Sequence, residues 1–164
     1  MDRLSVTQRV LLRPVQEADL PSFFLHQQDP QARWMAAFAP ANPNDTVAFD
    51  ARWCRVLVDP GILARTIEMD GCVVGHVASY VHAGAFEVTY WLDRAAWGRG
   101  IATCALHLFL QDQTVRPIWA RVAKDNLASL RVLEKCGFAI VGEDSGYAHA
   151  RGCNTEEWLL CCAR

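Results

Sequence analysis

A glycine-containing segment near the middle of the chain has the residue types of an anion-binding turn. It reads Trp97-Gly98-Arg99-Gly100-Ile101-Ala102, and apolar residues at helical spacing follow it. The start of a helix leaves backbone N–H groups unpaired and carries the positive end of the helix dipole, and small residues let a phosphate approach that backbone. The segment is therefore a candidate pyrophosphate site. An ordinary strand-to-helix turn explains two glycines equally well.

The elements that must position this turn are a strand before it and a helix after it. Residues 87–92 are β-branched and aromatic with partial alternation, which predicts a half-buried strand. Ile101, Ala105 and Leu108 recur at helical spacing and predict the helix. The segment lacks the Lys-Ser/Thr of a P-loop and the full Gly-x-Gly-x-x-Gly of a dinucleotide site, which disfavours both of those nucleotide sites.

The composition predicts one globular domain. The chain has 164 residues, of which 52% are hydrophobic and 21% charged, so it can bury a core without disulfide or metal cross-links. We assign residues 5–164 to a single domain. The formal net charge of −2 gives no general attraction to nucleic acid or anionic lipid. Residues 71–86 form the longest uncharged run, which is shorter than the roughly 20 residues that a bilayer needs. No basic-then-apolar signal opens the chain, so we expect a cytoplasmic protein.

The cysteines and histidines show no spacing typical of a metal site. None of the seven cysteines forms a Cys-x-x-Cys pair, and the five histidines include no His-x-x-x-His pair. Cys161 and Cys162 are adjacent, so on a strand their side chains would point to opposite faces. We therefore expect reduced thiols and no bound metal.

The remaining segments alternate between strands and helices, which indicates an α/β fold. Turn signals at Asp70-Gly71 and Ala83-Gly84 predict an antiparallel meander of three strands, and the strand–helix–strand that follows predicts a parallel pair. Pro30 is expected to end the first helix and leave an apolar loop over residues 34–43. The predicted strands cover residues 9–14, 62–68, 72–81, 86–92, 117–123, 139–143 and 157–162, and the predicted helices cover residues 17–27, 45–58, the part of 94–114 after Gly100, and 127–135.

Four segments in this order resemble those of the GNAT superfamily of acyl-CoA-dependent N-acetyltransferases. They are residues 9–14 with Asp19, residues 87–92, residues 97–102, and Asn126-Leu127-Ala128-Ser129 leading to residues 134–138. The resemblance covers nearly the whole chain and, within the superfamily, points to the RimJ/RimL-like ribosomal-protein N-terminal acetyltransferase type. It implies a mixed, mostly antiparallel twisted sheet that is splayed at its central parallel strand pair and flanked by about four helices.

The resemblance also implies a site for acetyl-CoA. Trp97 stands where the family usually has Gln or Arg, so the phosphates are expected to bind the backbone N–H groups of residues 98–102, with Arg94 and Arg99 as nearby cations. The pantetheine arm is expected between the splayed strands, bonded to the backbone near Trp91 and Leu92. Asn126 matches a family position that contacts this arm, and it is equally suited to cap the next helix.

The catalytic residues that the resemblance implies are less complete. Glu87 stands where the family often places a general base that acts through water, although a strand glutamate can also serve only in an ion pair. Leu133 occupies the position where many members have the tyrosine that protonates the leaving thiolate. Ser129 lies four residues earlier on the same helix face and is the candidate acid, with a helix-capping hydroxyl as its structural alternative.

The sequence therefore predicts transfer of an acetyl group from acetyl-CoA to a primary amine by direct attack in a ternary complex. The acceptor is expected to be a protein N-terminus or a small amine, and we expect no nucleic-acid or membrane partner and a monomer or homodimer. A non-catalytic acyl-CoA-binding sensor or scaffold of the same fold stays open, because leucine cannot donate a proton. Five aromatic residues are candidates for the acceptor wall: Trp34, Phe38, Trp53, Tyr80 and Tyr147.

Overall fold

Residues 9–164, which are the part of the chain that the computed structural model describes, form a seven-stranded sheet with five α-helices packed on it. Residues 5–8 of the predicted domain lie outside the described residues. Two short 3₁₀ turns are also present. Glu17–Asp19 precedes α1, and Arg94–Ala96 precedes the glycine turn at residues 97–102. The strands are β1 (Val10–Pro14), β2 (Leu63–Met69), β3 (Cys72–His82), β4 (Ala85–Leu92), β5 (Ile118–Ala123), β6 (Ala139–Ala148) and β7 (Cys153–Cys162), and the helices are α1 (Leu20–Gln27), α2 (Pro30–Ala36), α3 (Thr46–Val58), α4 (Ile101–Asp112) and α5 (Leu127–Lys135).

The sheet is antiparallel except at its centre. Its strand order is β1-β2-β3-β4-β5-β7-β6, and β4 and β5 are the parallel neighbours. These two strands match at one register position, Glu87 with Trp119, and diverge toward their carboxyl ends. The mixed, mostly antiparallel sheet with a splayed central pair is therefore confirmed.

Five helices are present in the described residues where about four were predicted, because Pro30 begins a helix instead of ending one. Asp29 caps α2 by accepting a hydrogen bond from the Ala32 N–H at 2.9 Å. Proline suits the first helical position, since its N–H would be unpaired there and its φ is already helical. The predicted loop over residues 34–43 is therefore wrong at residues 34–36, which are the last turn of α2.

The β6–β7 hairpin is longer than predicted, pairing Ala139 with Cys161 and Ala148 with Cys153 across its length. β6 lies at the edge of the sheet and most of its side chains are exposed. The apolar alternation that marks a half-buried strand is therefore missing from its second half. The two predicted turns are confirmed, since Asp70, Gly71, Ala83 and Gly84 all have positive φ and join the strands of the meander.

The helices cover both faces of the sheet. α4 and α5 pack on one face, where Phe109, Ile118 and Leu160 are completely buried. A smaller aromatic cluster of Phe23, Phe49 and Trp53 joins α1 and α3 on the other face. No helix in residues 9–164 combines the length and apolar character needed to cross a membrane. Across the same residues, the His, Cys, Asp and Glu side chains form no group that could hold a metal ion.

A buried carboxylate ties β1, β2 and the start of α1 together. Arg13 donates two hydrogen bonds of 2.7 Å to Asp19, Thr66 donates a third of 2.7 Å, and the Gln16 N–H donates a fourth of 2.8 Å. Burial alone would raise the pKa of Asp19, but the hydrogen bonds from Arg13, Gln16 and Thr66 outweigh it and lower that pKa to about 2. Asp19 therefore stabilises the fold in its ionised form.

Asp19→Asn is expected to lower the free energy of unfolding by about 2 to 4 kcal/mol, because it leaves Arg13 partly buried without its main counter-charge. The pKa of Asp19 is depressed in the folded state, so its contribution is complete above its ordinary value of 3.8 and is lost as the pH falls toward about 2. Urea unfolding should therefore show the gap between wild type and variant narrowing by about 1 kcal/mol from pH 6 to pH 3.

Asp70→Asn is the matched control, because Asp70 also pairs with an arginine, Arg9, but on the surface. We expect a much smaller loss of stability from it. A gap between wild type and Asp19→Asn that stays constant with pH would contradict an ionised Asp19 as its source.

Candidate active site

The gap between β4 and β5 opens into a cavity of about 1500 Å³. Its walls come from both faces of the sheet, since it is lined by α2 and α3 on one side and by α4 and α5 on the other. The divergence of the two strands thus connects the two helical layers through the sheet. A long ligand lying in the gap could present one end to each layer.

The turn before α4 has the geometry that the sequence predicts. Gly98 and Gly100 have φ of +70° and +76°, and a Cβ at either position would meet no atom within 4 Å. The first backbone bond of α4 runs from the Cys104 N–H to the Gly100 carbonyl at 3.1 Å, so the N–H groups of Ile101 and Ala102 lie before it at the open helix end. The backbone of this turn is therefore accessible to an anion.

Arg94 and Arg99 are the cations predicted near the turn. Arg94 pairs with Asp29 at 2.8 Å, whereas Arg99 is exposed. Arg131 and Lys135 line the cavity from α5. The sequence analysis missed both, although their spacing of four residues places them on one helix face.

Trp91, Leu92 and Trp97 use their side chains for packing. The Trp91 indole donates to the His26 carbonyl at 3.2 Å, and the Trp97 indole donates to the Leu92 carbonyl at 3.1 Å. The Asp93 N–H bonds to Val74 of β3, and alternation along β4 therefore turns the N–H and C=O of Tyr90 toward the gap. Backbone groups of β4 are thus the contacts available to a ligand between the strands.

Asn126 is the N-cap of α5. Its side-chain oxygen accepts from the Ser129 N–H at 3.2 Å, and its amide group donates to the Met35 carbonyl of α2 at 3.1 Å. The residue also lines the cavity. It thereby joins a helix on one face of the sheet to a helix on the other.

Ser129 forms a hydroxyl pair with Tyr90. The Tyr90 Oη and Ser129 Oγ atoms are 2.5 Å apart, so the Ser129 side chain contacts a strand and does not cap its helix. Burial raises the pKa of Tyr90 to about 12, despite the opposing hydrogen bond with Ser129, so the phenol is protonated at neutral pH. Leu133 is 2% exposed and packs in the core. The sequence analysis missed Tyr90. The available signal was the alternation of side chains along β4, which places Tyr90 on the face opposite to Glu87.

Glu87 is buried within a cluster of charged side chains. Its carboxylate accepts from Arg121 at 3.1 Å and lies 3.4 Å from the Tyr80 hydroxyl. Arg121 also donates to Glu157 at 2.8 Å and to Asp144 at 3.3 Å. Three carboxylates around one guanidinium give this group, which we call the acidic cluster, a net negative charge.

The acidic cluster fixes the ionisation of its own arginine. Burial disfavours the charge on Arg121, but hydrogen bonds to Glu157 and Glu87 outweigh that penalty and raise the pKa of Arg121. Glu87 projects from β4 on the face opposite to Tyr90, because neighbouring strand positions alternate. The carboxylates and the hydroxyl pair therefore lie on opposite faces of the same strand.

The predicted aromatic wall is present in part. Phe38, Trp53 and Tyr80 line the cavity. Trp34 instead packs against Arg151, whose Cζ atom lies 5.1 Å from the centre of the indole ring. Tyr147 packs against His149, with their ring centres 5.1 Å apart. The side of the cavity that α2 and α3 line is thus partly aromatic, with charged groups between the rings.

Solved structures with this fold span several acetyltransferases. Spermidine N-acetyltransferase from Vibrio cholerae in complex with CoA and spermine is 14% identical, with a TM-score of 0.80 over 95% of this chain and 96% of that one. RimJ from Mycobacterium smegmatis in complex with CoA-disulfide is 23% identical, with a TM-score of 0.76 over 94% and 81%. Ribosomal-protein-alanine N-acetyltransferase from Brucella melitensis is 21% identical, with a TM-score of 0.77 over 94% and 99%.

A search of the curated proteins finds no match to this sequence. Residues 9–139, well over half of the chain, match the family model described as an acetyltransferase (GNAT) domain. This match agrees with the splayed parallel strand pair and the glycine turn at the start of α4, which the resemblance to that family implies. The chain belongs to the GNAT acetyltransferase family, whose co-substrate is acetyl-CoA.

Proposed function

We propose that this protein transfers an acetyl group from acetyl-CoA to a primary amine by direct attack in a ternary complex. The observation that carries the proposal is the cavity through the sheet, with an anion-accepting turn on one side and the acidic cluster on the other. We propose further that residues 5–164 act as one domain of the RimJ/RimL-like type in the cytoplasm, as a monomer or homodimer. The Asn126-to-Ser129 motif supports that type, and seven unpaired thiols support that compartment.

The donor occupies the side of α4 and α5. Its pyrophosphate binds the backbone N–H groups of residues 98–102, with Arg99, Arg131 and Lys135 supplying positive charge. Its pantetheine arm runs between the strands against the backbone of Tyr90 and Leu92 and passes Asn126.

The acceptor enters from the side of α2 and α3 as an ammonium ion. The net negative charge of the acidic cluster attracts it, and Glu87 accepts its proton through a water molecule. The neutral amine then attacks the thioester carbonyl carbon, and the Tyr90 N–H stabilises the oxyanion that forms. This attack forms the C–N bond. As the tetrahedral intermediate collapses, the C–S bond breaks and the nitrogen loses its second proton to water on the same face.

The leaving thiolate is protonated from the hydroxyl pair. Ser129 donates its proton to the sulfur and receives one from the Tyr90 hydroxyl, which lies at hydrogen-bonding distance. This pair supplies the proton that Leu133 cannot give. The ammonium proton and the thiol proton thus move through groups on β4 or in contact with it.

A non-catalytic sensor or scaffold is the second candidate function, and the burial of Leu133 in place of a tyrosine is the observation that favours it. The two functions differ in turnover with acetyl-CoA and a panel of primary amines, followed by thiol release. Acetyl-CoA binding without thiol release for any amine would favour the sensor.

Glu87→Gln is expected to lower kcat/KM for an amine acceptor by about 100-fold or more, because the amide cannot accept the ammonium proton. Arg121 keeps Glu157 and Asp144 as partners, so the fold and the affinity for acetyl-CoA should persist. Glu143→Gln, an identical change on the exposed part of β6, is the control and should leave the rate unchanged. Rates near wild type for Glu87→Gln at every pH would contradict its role as the base.

Gly100→Glu should weaken acetyl-CoA binding by at least about tenfold, because it places a carboxylate where the pyrophosphate approaches. Gly84→Glu is the control, since Gly84 also has positive φ and open space around its Cα but lies in the β3–β4 turn. Both variants strain the backbone alike, and only the first should raise the Kd measured by calorimetry. Equal affinities in the two variants would exclude this turn as the phosphate site.

Ser129→Ala should reduce kcat by about tenfold to 100-fold with little change in the KM for acetyl-CoA, because the thiolate loses its proton donor. Tyr90→Phe should reproduce part of that loss, since Ser129 then lacks its own donor. Ser145→Ala, which removes an exposed hydroxyl from β6, serves as the control in the same steady-state assay. Wild-type kcat in both cavity variants would show that another group protonates the thiolate.

A further inference from the structure

Arg52 is a partly buried cation that no carboxylate of residues 9–164 neutralises. It lines the acceptor side of the cavity from α3, donates to the Gln27 side-chain oxygen at 2.9 Å and lies over the Phe49 ring. Within residues 9–164 no Asp or Glu approaches it to ion-pair distance, whereas Arg13 and Arg121 each hold two or more carboxylates. Burial, and secondarily the charge of Arg55, lower the pKa of Arg52. A charge in such a place favours an anionic partner.

The groups beside Arg52 have spare hydrogen-bonding capacity. Trp53 and His76 line the cavity with it, and the Trp53 indole N–H and His76 Nδ1 are buried without a partner among the described residues. Burial lowers the pKa of His76 to about 3, so its ring is neutral and carries one N–H. We call this group of Arg52, Trp53 and His76 the cationic cluster. It offers one positive charge and neutral N–H groups.

The cationic cluster and the acidic cluster lie at different ends of the part of the cavity that we assign to the acceptor. His76 and Tyr80 project from the same face of β3, and they pair in register with Trp91 and Glu87 of β4. The two residues are four positions apart along the strand, which is about 13 Å. The cavity therefore has a negative end where β4 and β5 still pair, and a positive end near α3, level with the splayed part of β4.

We infer that the acceptor is an amine that also carries an anionic group several bonds away, a carboxylate or a phosphate, and that Arg52 binds that group. The inference rests on the proposed function, which places the amine beside the acidic cluster. An α-amino acid, whose amine and carboxylate share one carbon, is too short to reach both ends. A hydrogen bond to Arg52 and a water-mediated contact to Glu87 together take up about 8 Å of this distance. A dipeptide, an ω-amino acid or an aminoalkyl phosphate, each about 5 to 8 Å long, is therefore long enough.

The test compares matched acceptors that differ only in the anionic group. With wild-type protein, kcat/KM should be at least about tenfold higher for ε-aminocaproate than for its amide, and higher for dialanine than for dialanine amide. An aminoalkyl phosphate and its alcohol form a further pair, which tells whether the anion is a phosphate or a carboxylate. Equal rates for the acid and the neutral member in every pair would overturn the inference while leaving the proposed acetyl transfer intact.

Arg52→Gln should remove this preference by raising KM for the acids, with kcat/KM for the amides and the Kd of acetyl-CoA unchanged. Arg55 lies one turn further along α3, where it is exposed and also lines the cavity. Arg55→Gln is therefore the matched control for charge in this region and should keep the preference. An equal loss in both variants would indicate general attraction and overturn a site at Arg52, as would a preference that survives in Arg52→Gln. Absence of turnover with every amine would contradict the proposed function itself, and this inference would fall with it.

Discussion

The single register position between β4 and β5 is the constraint on which the site depends. Parallel strands that paired along their full length would close the sheet and leave no route between its faces. Here pairing stops at Glu87 and Trp119, and backbone groups of β4 beyond that point are left for a ligand. The acidic cluster holds the strands together where they still pair, since Arg121 joins carboxylates of β4, β6 and β7.

Alternation along β4 separates the two halves of the site. Odd-numbered side chains from Glu87 onward face α1, α2 and α3, and even-numbered ones face α4 and α5. One strand thus carries the carboxylate that we propose as the base on one face, and the tyrosine of the hydroxyl pair that we propose as the acid on the other. The same geometry explains why Trp91 and Leu92, although adjacent, pack in different layers.

The sequence predicted those parts of the site that depend on local order. The strand, the glycine turn and the helix start lie within sixteen residues, so turn chemistry and periodicity were enough to place them. Tyr90 with Ser129, Arg121 with Glu157, and Arg52 with Gln27 are 39, 36 and 25 residues apart, and no local pattern pairs them. Pro30 was misinterpreted because proline fits both the end and the first position of a helix, and the Asp29 cap distinguishes the two only once the backbone is known.

The opposite orientation of Glu87 and Tyr90 also determines where the proposed cycle releases protons and where it takes them up. Each turnover would release two protons from the acceptor nitrogen on one face of β4 and take one proton from the hydroxyl pair on the other. The strand backbone lies between them, and backbone amides do not relay protons as hydroxyl and carboxyl groups do. The cycle would therefore be reset by exchange with bulk solvent on each face separately, so buffer access to both mouths of the cavity becomes part of the catalytic design.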